Sequence, residues 1–304
     1  MNILMLGIFT GNVFDGDEVL AYGFEQLGHT VTKINYRKTA FINLKLLQLC
    51  KRYDLLLIGK GESIEPFVLK RIKIPKILWY GDQRDTVQKW VLRRIKYVDL
   101  FLHTTAGKRL NEYYTLSKTP SSFFMVPCQP NLYNDSLEYK NDIFFSGSPL
   151  SSLGDFVRKD VLLSLSNRDN FKWFGKDPNS VIQGMAYSSE MTASKILVSV
   201  NHFNNYLKYS SDRIIHYSAA GFTISYNIPG FRDLFTHIPT FDTVESMQDL
   251  IDFYLNNSKE REALKALIIH ETRSKYNPKS ICRYILDLII KKRSTMYPQF
   301  DYLS

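Results

Sequence analysis

Short apolar runs recur along this chain, each ended by a glycine or a polar turn and most followed by a stretch with helical spacing. Ile3–Leu6 is the first, stopping at Gly7, and fits a buried parallel strand. Asp17–Leu27 then reads as a helix with Gly28 at its C′ position. Val31–Asn35 is a strand, Leu44–Tyr53 a helix, and Asp54–Ile58 a strand ending at Gly59 and Gly61. Lys76–Tyr80 and Leu100–Leu102 are short buried strands on either side of a helix around Thr86–Ile95, and Phe123–Val126 is another strand. Alternation of this kind predicts a parallel sheet covered on both faces.

The alternation breaks over Val126–Asp142, where PCQPNLYNDSLEYKND is polar and turn-rich, and a domain boundary is expected there. It then restarts. Ile143–Phe145 is a strand leading into Ser146-Gly147-Ser148-Pro149, Phe156–Leu165 a helix, Lys172–Phe174 a strand into Gly175, and Lys195–Val200 a strand. Residues 211–235, SDRIIHYSAAGFTISYNIPGFRDLF, carry the most information. Ser210 and Ser211 open a helix, Arg213 sits in its first turn, and Gly221 closes it as a C′ glycine. The strand Phe222–Tyr226 and a Pro-Gly turn follow, and helices near Ser246–Leu255, Glu260–Lys275 and Lys279–Lys292 end the chain. A helix N-terminus exposes backbone N–H groups and a positive dipole end, which suits an anion such as a diphosphate.

At 304 residues the chain has room for two such domains. It holds no run of 18 apolar residues, so no membrane span is expected, and MNILMLGIFTGNVFDGDEVL reads as a first strand rather than a signal peptide. Cys50, Cys128 and Cys282 are odd in number and lack metal-ligand spacing, so reduced, cytosolic thiols are the expectation. Charge is uneven. Residues 1–120 hold 19 Lys and Arg against 11 Asp and Glu, a net +8, whereas residues 121–304 hold 20 against 19. The clusters are Lys70, Arg71 and Lys73 near Lys76, then Arg93, Arg94 and Lys96. Such a half attracts a polyanion, either nucleic acid or an anionic membrane surface, or is simply a set of solvated helix faces.

Several segments resemble, in order, the CgeB-like branch of the group 1 glycosyltransferases of GT-B fold. They are Trp79-Tyr80-Gly81-Asp82, Asp142–Gly147 with Arg158 on the next helix, Lys172–Gly175, Arg213–Gly221 and Asp249–Glu262. The resemblance implies an α/β chain of two Rossmann-like, doubly wound domains facing a cleft. Residues 1–130 would take the acceptor, residues 140–280 the nucleotide-sugar, and residues 281–304 would form a helix and tail crossing back to the first domain. It implies no obligatory metal, with a UDP- or other NDP-sugar as co-substrate. One departure stands out: related enzymes carry a glutamate five residues before the equivalent of Gly221 and an acid eight residues earlier, where this chain has His216 and Lys208.

The candidate donor residues are Gly147, Arg158, Trp173, Gly175, Ser211, Arg213, His216 and Gly221. Arg213 and His216, three apart, share a helix face. Arg213 would neutralise the departing diphosphate and His216 touch ribose or sugar, or they are a surface arginine and a half-buried histidine. Trp173 and Phe174 would flank a nucleobase, or belong to the core. Asp82 is the first candidate general base and His103, after a strand, the second, although Asp82, Arg84 and Asp85 also read as a helix-capping cluster. Gly7 and Gly11 with Asn12 would form the acceptor-side loop, and their spacing does not fit GxGxxG, which argues against a dinucleotide enzyme. Lys70, Arg71, Lys73, Arg93, Arg94 and Lys96 are the candidate acceptor contacts.

The expected activity is transfer of a sugar from a nucleotide-sugar to an acceptor hydroxyl, by stabilising the departing diphosphate and aligning the acceptor. Phage enzymes that glycosylate hydroxymethylated pyrimidines in DNA share the GT-B fold, and a DNA acceptor with its target base exposed would account for the basic half. A lipid-linked or surface glycan on an anionic membrane accounts for it too. The rivals from other classes are a GT-B-shaped nucleotide-sugar epimerase and a non-catalytic DNA-binding protein.

Overall fold

The computed structural model describes residues 1–134, 138–149, 157–209 and 211–304. They fall into two compact units, Met1–Pro127 with Pro278–Ser304, and Cys128–Asn277. The first runs β1 (Asn2–Gly7), α1 (Gly16–Gln26), β2 (Thr30–Asn35), α2 (Ile42–Leu49), β3 (Leu55–Gly59), α3 (Pro66–Arg71), β4 (Lys76–Tyr80), α4 (Lys89–Ile95), β5 (Leu100–His103), α5 (Gly107–Ser117) and β6 (Ser121–Phe123). The second runs β7 (Asn141–Ser146), α6 (Val157–Leu165), β8 (Phe171–Phe174), α7 (Gly184–Thr192), β9 (Ser194–Ser199), α8 (Asp212–Ala220), β10 (Thr223–Tyr226), α9 (Phe231–Leu234), β11 (Thr240–Phe241), α10 (Val244–Asn256) and α11 (Ser258–Lys275). The chain then rejoins the first unit as α12 (Pro278–Lys291) and β12 (Tyr302–Leu303).

In the first unit the strand order is β12-β6-β5-β4-β3-β1-β2. Ile3, Leu4, Met5 and Leu6 are all wholly buried, as a strand sandwiched between helix layers requires. Leu4, Leu6, Leu56, Ile58 and Leu78 pack in one core with Ile42, Leu46, Val68, Leu69, Val91 and Ile95, so α2, α3 and α4 cover one face. α1 packs against α12, and Gly23 makes their close approach possible: a Cβ there would lie 2.6 Å from the Pro278 carbonyl oxygen and from Cys282 Sγ.

Three features differ from the pattern in the sequence. The strand expected at Phe123–Val126 lies earlier, at Ser121–Phe123, because Ser121 and Ser122 are buried with their hydroxyls satisfied, Ser122 Oγ 2.6 Å from Tyr284 Oη. The edge partner β12 runs antiparallel, so the sheet is not wholly parallel. The helices α3, α5 and α7 have no apolar stripe long enough to show: α3 has six residues, and α5 buries Arg109 beside Leu110 and Tyr113.

The second unit is a parallel sheet in the order β11-β10-β9-β7-β8. Strand order reverses between β7 and β9, and in such sheets a crevice opens at the carboxyl ends flanking the reversal. Of the helix expected at Phe156–Leu165, Phe156 lies outside the described residues, as does Ser210 of the serine pair. Gly221 is not the left-handed C′ glycine expected: its backbone is extended, with φ −172° and ψ −170°. A Cβ there would sit 3.3 Å from Leu197 Cδ1, so the position favours glycine through tight packing rather than through its dihedrals.

Candidate functional site

The reversal between β7 and β9 gathers two arginines and a histidine. Val200, just past β9, offers its carbonyl to Arg158 Nε and Nη2 at 3.1 and 2.9 Å and to Arg213 Nη1 at 3.0 Å. Arg213 Nε donates to the Ser146 carbonyl at the end of β7, 2.7 Å, and Nη1 reaches Ser211 Oγ at 3.2 Å. Both guanidinium groups lie over the Phe145 ring, 4.7 Å away for Arg213 and 5.8 Å for Arg158. Arg158 Nη1 donates to His202 Nε2 at 2.6 Å. Burial, then the adjacent Arg158 and Arg213 charges, drive the His202 pKa down to about 4, so the ring is a neutral acceptor at pH 7. Arg158 is buried while Arg213 and His202 are half-buried, which makes a concentrated positive charge.

The loop over this charge is built from glycines. Gly147 has φ +147°, and a Cβ on it would lie 2.4 Å from Arg213 Nη2. Gly175, at φ +81°, lies against it: a Cβ there would meet the Gly147 backbone at 3.1 Å. Trp173 Nε1 donates to the Gly147 carbonyl, 3.0 Å, so the ring is tied to the loop beside the arginines, with Lys176 Nζ 5.5 Å from its centroid. Ser211 caps α8 in extended conformation and its N–H donates to Asn201 Oδ1, 3.0 Å. The fold therefore brings together Gly147, Arg158, Trp173, Gly175, Ser211 and Arg213.

His216 does not join them. It is 4% exposed, with Nδ1 3.0 Å from Tyr133 Oη and its ring against Tyr187, so it is engaged inside the unit rather than half-buried at the helix surface. The residue sharing Arg213's face is Tyr217, four positions on rather than three, whose hydroxyl accepts from Ser146 N–H at 2.6 Å. Four residues turn a helix by about 40° past a full circle and three fall about 60° short, so the i+4 neighbour stays nearer the β7 end. Burial raises the Tyr217 pKa to about 12, which keeps it a neutral acceptor. Lys208 is also committed, 6% exposed and paired with Asp233 at 3.3 Å. Tyr217 lies within the Arg213–Gly221 segment, where nothing in the sequence singles it out, and His202 belongs to no spaced motif.

In the first unit Asp82 follows β4 at its carboxyl end and pairs with Lys60, 2.7 Å, while still part-exposed. It caps no helix, and neither do Arg84 and Asp85: α4 starts only at Lys89, after an N-cap at Gln88. His103 is a core residue, 1% exposed, with Nδ1 2.6 Å from the Tyr80 carbonyl oxygen and its ring among Phe101, Tyr80 and Tyr113. Burial pushes its pKa down to about 4, and no solvent-facing nitrogen is left for a base. Arg94 is 7% exposed and spends Nε, Nη1 and Nη2 on the carbonyls of Gly61, Trp90 and Glu62, so it is a structural residue rather than an acceptor contact. Lys70, Arg71, Lys73, Arg93 and Lys96 are exposed. Gly11, at φ +84°, lies in an open loop.

The residue that the sequence hid is Asp17. Its carboxyl sits at the β1–β3 reversal, 7% exposed, accepting from Ile8 N–H at 2.8 Å and from Trp79 Nε1 at 2.9 Å. Gly7 and Gly59 make room for it: a Cβ on either would lie 2.4 or 2.0 Å from its oxygens. Burial raises its pKa from 3.8 to about 6. The folded value exceeds the unfolded one, so folding favours the protonated acid, and stability from this group is lost as pH climbs from 4 through 6. The stability difference between wild type and Asp17→Asn should therefore fall by about 2 to 2.5 kcal/mol between pH 4 and 7, read from urea melts at each pH. A difference that does not change with pH would show that the carboxyl titrates normally.

Among the described residues no group of three or more His, Cys, Asp or Glu could hold a metal ion, and no helix is long and apolar enough to cross a membrane. Cys50, Cys128 and Cys282 are free and buried.

No curated protein sequence matches the chain. Residues 158–287 match a family described as glycosyl transferase-like. The Anabaena protein HepE, solved with UDP and glucose, is similar in fold, with a TM-score of 0.66 at 10% identity over 96% of this chain and 100% of that one. The same protein with UDP-glucose gives 0.63 at 11% identity over 96% and 100%. The T4 phage β-glucosyltransferase gives 0.62 at 11% identity over 95% and 99%. At such identity these likenesses carry the architecture, two Rossmann-like domains of GT-B type. The chain thus has the GT-B fold, and the stretch that matches the glycosyl transferase-like family covers both arginines that meet at the end of β9.

Proposed function

We propose that the chain transfers a glycosyl group from a uridine diphosphate sugar to an acceptor hydroxyl. The second unit holds the donor and the first unit the acceptor. The observation that carries this is the convergence of Arg158 and Arg213 on the Val200 carbonyl beneath the Gly147 loop. Charge fixed there before the reaction stabilises a departing diphosphate without reorganisation. Trp173 beside the loop offers a ring to the base, and the UDP complexes of similar folds support uridine. Asp82, part-exposed at the carboxyl end of β4 and paired with Lys60, is the acceptor-side base. Thermal unfolding across a panel of nucleoside diphosphate sugars tests the donor. A bound sugar nucleotide at 100 times its dissociation constant adds ~2.7 kcal/mol. No shift with any member would sink the reading.

For the acceptor, a hydroxymethylated base in DNA is supported by the likeness to the T4 phage enzyme and by the basic first half. A second reading, an acceptor displayed at an anionic membrane, is favoured by where that charge sits. Lys70, Arg71 and Lys73 end α3 or follow it, and Arg93 and Lys96 do the same for α4. In a βαβ unit helix C-termini lie at the amino ends of the strands, whereas ligands are read at the carboxyl ends. Transfer to DNA should decline steeply with salt through counterion release, and transfer indifferent to salt would remove the DNA reading.

A further inference from the structure

We propose that the outer face of α2 and α3 docks onto an anionic lipid bilayer. Three large apolar side chains stand in solvent there: Phe41 at 78% exposure, Leu44 at 66% and Phe67 at 52%. They are not core residues displaced for want of room, because the inner faces of the same helices are filled by Ile42, Leu46, Val68 and Leu69. The two helices that carry them are tied together. Asn43 Nδ2 donates to the Ser63 carbonyl at 3.1 Å and its Oδ1 accepts from Glu65 N–H at 2.9 Å, which ties the first turn of α2 to the start of α3. Phe41 itself is the α2 N-cap in left-handed conformation, φ 55°, a state that a bulky residue adopts at a cost.

Cations flank this apolar group. Lys45 lies on α2, Lys70 and Arg71 end α3, and all three are exposed. The Arg71 guanidinium lies 5.5 Å over the Phe67 ring. Residues 41–73 hold seven Lys and Arg against three Asp and Glu, and one of those acids, Glu62, is already paired with Arg37. Exposed phenylalanine and leucine beside long basic side chains is what an interfacial surface needs: the apolar tips enter the acyl boundary while the cations reach lipid phosphates. Duplex DNA would use the cations and leave the three apolar chains in water, so the membrane accounts for both halves of the face. The inference goes beyond the transfer reaction and does not depend on which sugar is moved.

The test is co-sedimentation of the full chain with phosphatidylcholine vesicles, with and without phosphatidylglycerol. Wild type should partition onto the anionic vesicles only. Phe41→Ser, Leu44→Ser and Phe67→Ser together should weaken that partition about tenfold or more, since each removes buried apolar area at the interface. Lys70→Glu with Arg71→Glu should weaken it as well. All five residues are exposed, and circular dichroism with the nucleotide-sugar melting shift checks that each variant is folded and its donor site intact. No partition of wild type, or partition that the serine variant leaves unchanged, overturns the proposal. So does binding of duplex DNA that displaces vesicles from wild type and serine variant alike. Failure of the melting shift in wild type would sink the donor reading and leave this one standing.

Discussion

Arg213→Ala is expected to lower the rate of sugar transfer by about 10²- to 10³-fold, the loss typical of removing one preorganised group that stabilises developing anionic charge. The expectation rests on geometry. The guanidinium is fixed on the Ser146 and Val200 carbonyls and stacked on Phe145, with Nη2 directly beneath Gly147. Binding of the intact donor already feels this charge, but the charge that grows as the sugar leaves feels it more, so kcat falls along with affinity. Lysine is a poor replacement, because a single ammonium cannot serve the two carbonyls and Ser211 Oγ together. Turnover is measured with a saturating nucleotide-sugar, beside a thermal melt. The melt is needed because the Ser146 carbonyl loses this donor, a loss that costs ~1–3 kcal/mol if it is left unpaired, while Val200 keeps Arg158. Turnover near the wild-type value in a folded Arg213→Ala protein would move the diphosphate away from the β7–β9 reversal.

The parts of the fold that were legible in the sequence are those with one dominant signal. Buried strands such as Ile3–Leu6 and Lys76–Tyr80 are continuous apolar runs, and their placement follows from that. Elements whose polar residues are satisfied internally left no such trace. β6 is Ser-Ser-Phe, and α5 buries an arginine that donates to the carbonyls of Arg84 and Asp85. The site divides in the same way. That Arg213 opens a helix and that Gly147 and Gly175 follow strand ends was legible, because those signals are sequence-local. Whether a histidine is bare or buried is decided by other segments: Tyr80, Phe101 and Tyr113 close over His103, and Tyr133 and Tyr187 over His216. Asp17 is the sharpest example. As one acid among Asp15, Asp17 and Glu18 it reads as a solvated helix start, and only the two strand-end glycines, 52 positions apart, make its pocket.

Ending the chain at Asn277 is expected to abolish cooperative folding of the first unit. α12 brings Ile281, Cys282, Tyr284, Ile285 and Leu288 to between 0 and 2% exposure, and it lies against α1, where Gly23 admits its first turn. Fully burying a large apolar side chain is worth roughly 1.5–3 kcal/mol. Five such side chains lie in the range of ~5–15 kcal/mol that a whole domain possesses. The truncation also strips β12 from the β6 edge and takes away Tyr284 Oη, leaving the buried Ser122 hydroxyl without that partner. Cys128–Asn277 has its own five-stranded sheet and keeps it. Calorimetry should therefore show one of two transitions lost, and amide exchange should lose protection at Ile3–Leu6 while it persists at Ile196–Val198. Protection retained in β1 would mean that α1 tolerates an open apolar flank, and that α12 is an appendage rather than part of the layer that lets a strand so apolar stay in water at all.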